Sequence, residues 1–69
     1  MKAIRVEDSK SGVHVVFRQD CGSRWSVWCP SVITGTDVRF EGGMSVQEVM
    51  DAMKRFKAAG EYSIKYTLE

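Results

Sequence analysis

The chain has 69 residues, with ten lysines and arginines against nine aspartates and glutamates, a formal charge of +1. Its 43% hydrophobic and 28% charged residues are those of one globular domain and exclude a disordered tail or a coiled coil, while the balanced charge makes no general case for nucleic-acid or acidic partners. Apolar runs of only a few residues predict neither a membrane span nor a signal peptide, so the expected compartment is the cytoplasm.

Lys2 to Glu7 alternates, with Ile4 and Val6 on one side and Ala3, Arg5 and Glu7 on the other, which predicts a first strand. Ser9-Lys10-Ser11-Gly12 reads as a turn. Val13 to Arg18 then sets Val13, Val15 and Phe17 against His14, Val16 and Arg18, and Arg24 to Cys29 sets Trp25, Val27 and Cys29 on its apolar side. These two strands predict a hairpin.

Joining the apolar sides of the hairpin requires opposing residue numbers with an even sum. A sum of 42 closes the three-residue loop Asp20-Cys21-Gly22, in which Gly22 supplies a left-handed residue. That register opposes Phe17 to Trp25, Val15 to Val27 and Val13 to Cys29 on the core side. On the other side it opposes His14 to Trp28, Val16 to Ser26 and Arg18 to Arg24. Cys21 and Cys29 then lie roughly 8 × 3.3 Å apart, far beyond the reach of a disulfide, and both are expected as free thiols in a reducing compartment.

Pro30 has no N–H for a ladder and ends the third strand, and Ser31 to Gly35 reads as a loop in which Val32 and Ile33 are either strand or buried loop. Asp37 to Glu41 predicts a fourth strand, Val38 and Phe40 inward, broken by Gly42-Gly43. Ser45 with Glu48 forms a capping box, and Met44 is placed to staple onto Val49. Val46, Val49, Met50, Met53 and Phe56 make one helical stripe, Asp51 and Arg55 are spaced to pair, and Lys54, Arg55 and Lys57 lie toward the C-terminal end that favours cations. Gly60 ends the helix. Glu61 to Glu69 alternates again, with Tyr62, Ile64, Tyr66 and Leu68 against Ser63, Lys65 and Thr67.

The expected fold is a single α+β domain over residues 1–69, a mainly antiparallel five-stranded sheet in the order β-β-β-β-α-β with one helix on one face. One helix covers one face only, so the other meets water or a partner. That face is expected to carry Arg5, His14, Val16, Arg18, Arg24, Trp28, Arg39 and Lys65, with Glu7, Asp37, Glu41 and Glu61 among them.

Tryptophan and arginine are enriched among interface hot spots, and Val16 adds apolar area, so the expected function is a non-enzymatic module that docks on a protein through this face or a sheet edge. Small phage or mobile-element regulators and inhibitors share this compact style, without any residue motif to carry a family. The alternative is single-stranded nucleic acid on the same surface, with Trp28 beside His14 as a stacking platform and an anion relieving the Arg18–Arg24 repulsion. Catalysis is not expected, because the lone His14 meets no thiol and the carboxylates Glu7 and Asp8 point to opposite faces. No cofactor or metal site is expected, and the chain reads as a monomer or a homodimer that pairs its open faces or edges.

Overall fold

The computed structural model describes residues 2–20 and 22–68, so the expectations on Cys21 and Glu69 lie outside the described residues, as does the inward placement of the Leu68 side chain. Five strands, β1 (Lys2–Asp8), β2 (His14–Gln19), β3 (Trp25–Pro30), β4 (Asp37–Met44) and β5 (Tyr62–Leu68), surround one helix in chain order, α1 (Val46–Ala59). The sheet runs β4-β3-β2-β1-β5 with every neighbouring pair antiparallel. β4 and β5 are therefore opposite edges, and α1 must carry the chain from one to the other. Its 14 residues span about 21 Å, close to the width of about 19 Å that five strands occupy.

The helix starts where the capping box predicts. Ser45 Oγ accepts from the Glu48 amide at 3.1 Å, and Glu48 Oε1 accepts from the Ser45 amide at 3.2 Å. Gly60, at φ 72°, ends it in the left-handed conformation. Val49, Ala52 and Met53 bury themselves on Ile4, Val6, Phe17 and Trp25, with Phe56 edge-on to both Phe17 and Tyr62. Val46 and Met50, expected on the same stripe, are about half exposed, because they flank the line along which the helix meets the sheet. Asp51 accepts from Gln47 at 2.9 Å instead of pairing with Arg55.

The β2–β3 register corrects the sequence expectation. Residue numbers sum to 44: Val16 faces Trp28, Phe17 faces Val27, Arg18 faces Ser26 and Gln19 faces Trp25. The hairpin closes at the bond from the Asp20 amide to the Arg24 carbonyl, 2.8 Å, one residue further along each strand. Both sums are even, so each side chain keeps its face while every cross-strand neighbour changes. Val13, expected as an inward strand residue, precedes β2 and is exposed.

β4 departs further. It continues through Gly42 and Gly43 to Met44, and absorbs two extra residues against β3: Arg39 faces Trp28, Glu41 faces Val27 and Met44 faces Trp25. Phe40 falls at the first shift and is 75% exposed instead of inward, and Val38 is also exposed. Gly43 adopts φ 73°, a conformation that costs a residue with a side chain and that the second shift uses. Val32 and Ile33, neither strand nor buried, are fully exposed in the β3–β4 turn, where Ser31 Oγ accepts from the amides of Ile33 and Thr34.

Candidate binding face of the sheet

The pairings align the face opposite the helix in rows. Lys65, Arg5, Val16, Trp28 and Arg39 form one continuous row across all five strands. Beside it run Thr67, Ala3, Arg18 and Ser26, and on the other side Ser63, Glu7 and His14. Of the sequence-predicted residues, Arg5, His14, Val16, Arg18, Trp28, Arg39 and Lys65 are thus brought onto one surface. Arg24 is not. It lies beyond the end of β3, and its Nη1 donates to the Gly43 carbonyl at 3.3 Å, toward the β4 edge.

Val16 was expected as exposed apolar area and is 7% exposed. Ala3 and Ser26, on the same face, are 3% and 0% exposed. No helix shields them. Arg5, Arg18 and Lys65 line the same depression as Ala3 and Val16, and the apolar stems of such side chains cover apolar ground of this kind.

Trp28 is held by a polar chain. Its Nε1–H donates to Ser26 Oγ at 2.9 Å, the Ser26 hydroxyl donates to Asp20 Oδ1 at 3.1 Å, and Asp20 Oδ2 accepts from Arg39 Nη2 at 3.4 Å. The Arg18 guanidinium carbon sits 5.0 Å from the Trp28 ring centre, within cation–π range. The indole is therefore fixed in orientation before anything binds, and one ring face is taken by Arg18.

The like-charge pair exists, but not where it was expected. Arg18 faces Ser26, whereas Arg5 stands directly opposite Lys65, a geometry in which like charges repel. Arg5 Nε is 4.0 Å from Glu7 Oε2, at the limit of an ion pair and half exposed, so the compensation is weak. His14 Nε2 lies 3.0 Å from Asp37 Oδ1, which occupies the histidine in an internal contact and removes it as a stacking neighbour of Trp28.

Ser26, Asp20 and Ala3 were not among the expected site residues, though they orient or floor it. A small polar residue between two tryptophans, Trp25-Ser26-Val27-Trp28, is the sequence feature from which the first of them could have been found. Cys29 is a free, half-buried thiol. Among the described residues no cluster of histidine, cysteine, aspartate and glutamate could hold a metal, and no helix is long and apolar enough to cross a membrane.

The two sheet edges differ. β4 is interrupted by its register shifts, which break the regular ladder an added strand would extend, whereas β5 pairs with β1 without a shift from Tyr62 to Leu68.

Comparison with known proteins yields no match, neither to a family model nor to a curated protein nor to a solved structure.

Proposed function

We propose that the chain is a non-enzymatic module of the cytoplasm that docks on a protein partner through the open face of its sheet, as a regulator or inhibitor does. The observation that carries this reading is the row Lys65–Arg5–Val16–Trp28–Arg39: an indole and a valine at the centre, cations at both ends, and the indole immobilised by Ser26 and Asp20. An interface hot spot has this composition, and a side chain already fixed loses less entropy on binding. The unshifted β5 edge is a second place where a partner's backbone could add.

Binding of single-stranded nucleic acid uses the same cations but fits less well. Glu7, Asp20 and Asp37 interleave with them, His14 is tied to Asp37, and Arg18 occupies one face of the ring on which a base would stack. Two measurements separate the readings. An oligothymidylate titrated at about 50 and 200 mM salt is expected to bind weakly at both, whereas a phosphate-driven complex would lose about 10³-fold or more between them. A partner isolated with the wild-type chain is expected to release Trp28→Ala at least about 30-fold more readily. Tight, steeply salt-dependent oligonucleotide binding, or a partner indifferent to Trp28→Ala in a folded chain, overturns the proposal.

A further inference from the structure

We infer that the depression bounded by Arg5, Arg18 and Lys65 is a subsite for one acidic side chain, glutamate or aspartate, projected by the protein that docks on the open face. The inference rests on the docking reading and specifies what that partner presents. The depression encloses about 260 Å³, with Ala3 and Val16 in its lining, Thr67 beside them and Asp37 at one end. It is smaller than the roughly 300–1,000 Å³ of pockets that hold free small molecules. It suits a single side chain whose methylenes rest on Ala3 and Val16 while its head meets charge.

Three features make that head a carboxylate. Arg5 and Lys65 are opposed across β1 and β5, so an anion between them replaces a repulsion with two attractions. Arg18 lines the depression with its guanidinium carbon 5.0 Å from the Trp28 ring centre, and its buried Nε has no hydrogen-bond partner, so its charge is not neutralised by a carboxylate of the described residues. The walls supply three cations against the one carboxylate of Asp37, which already receives His14. A polyanion running across the face would have to pass Glu7 and Asp37 on one side or Asp20 on the other. A lone carboxylate meets only Asp37, at the end of the depression and already engaged by His14, and Glu7, 4.0 Å from Arg5 Nε, and it keeps three cations around it.

The test uses the intact, isotope-labelled chain and three probes: a blocked peptide of consecutive glutamates, its glutamine counterpart, and an oligothymidylate. The glutamate peptide is expected to shift the amide resonances of Ala3 to Arg5, Val16 to Arg18 and Lys65 to Thr67, and the glutamine peptide to leave them in place. Arg5→Gln and Lys65→Gln are each expected to weaken the glutamate peptide roughly three- to ten-fold. Equal shifts with the glutamine peptide, no shifts at low salt, or variants that bind as the parent does would overturn the subsite. So would an oligothymidylate that shifts the same amides at lower concentration, which would assign the surface to nucleic acid. With the partner in hand, Trp28→Ala separates the two levels: loss with Trp28→Ala but not with Arg5→Gln or Lys65→Gln removes the subsite and keeps the docking face, and loss with none removes both.

Discussion

The two faces of this sheet are built from the same strands and bury residues to a similar degree, yet by different means. On one, Ile4, Val6, Phe17 and Trp25 are covered by the apolar stripe of α1. On the other, Ala3, Val16 and Ser26 are buried without a helix over them, among side chains of the strands that include Arg5, Arg18, Trp28 and Lys65. A helix is a cover that leaves only when the domain unfolds. An arginine or lysine is a cover that swings aside at the cost of a weak contact, exposing the ground beneath it to a partner. Burial in the monomer thus does not separate core from binding surface; the chemistry of what does the burying separates them.

The comparison breaks most easily on energies. Phe17→Ala empties a fully covered site on the helix face and should cost about 3–5 kcal/mol. For a domain of this length the total stability is about 3–10 kcal/mol, so urea denaturation should find the variant close to unfolding in water. Trp28→Ala removes the largest side chain of the open face, and because that ring is only partly buried the variant should stay folded with a loss below about 2 kcal/mol. Its effect belongs in partner affinity, at about 2 kcal/mol or more. If Trp28→Ala unfolds the domain as Phe17→Ala does, the two faces are both core. Ser26→Ala comes next. It strips the acceptor from the Trp28 indole and the donor from Asp20 Oδ1, and should cost about 1–3 kcal/mol. The Trp28 indole proton should exchange with solvent faster than in the parent, and an unchanged exchange rate would show that Ser26 does not hold the ring.

Which face a residue occupies was legible in the sequence within β1, β2, β3 and the described part of β5, because alternation is a parity and parity survives a register error of two; Val13 and Arg24, expected inside strands, lie just outside them. For the same reason parity could not choose between sums of 42 and 44. Both close a three-residue loop around Gly22, and of the contacts that accompany the second, Asp20 to Ser26 spans the hairpin itself while Asp20 to Arg39 joins it to a strand nineteen residues on. In β4 the alternation of Val38 and Phe40 was an ordinary strand pattern, and the extra residues that turn Phe40 outward leave no mark except the glycine pair, which reads equally as a break. Helix boundaries were legible to within a residue or so, since Ser45, Glu48 and Gly60 act locally. Burial of Val16 was not, because it depends on long side chains from two other strands converging over it.

That glycine pair offers the finest test of the open face. Gly43 sits at φ 73°, so Gly43→Ala pays the left-handed penalty of about 1–2 kcal/mol and disturbs the β3–β4 shift. Gly42 has no such backbone demand, but a Cβ there would enter the space of the Arg39 guanidinium. A flexible side chain yields where a backbone does not. Gly42→Ala should therefore leave stability within about 0.5 kcal/mol of the parent, the restricted unfolded chain offsetting a weakened surface pair. It should nonetheless move Arg39 off Asp20 and loosen the outer end of the chain that orients Trp28. The expected signature is a shifted Arg39 side-chain resonance and a small loss of partner affinity in a domain of unaltered melting temperature. A melting temperature that falls as far as in Gly43→Ala would mean that Arg39 is packed as rigidly as the core, and that the open face has no movable cover.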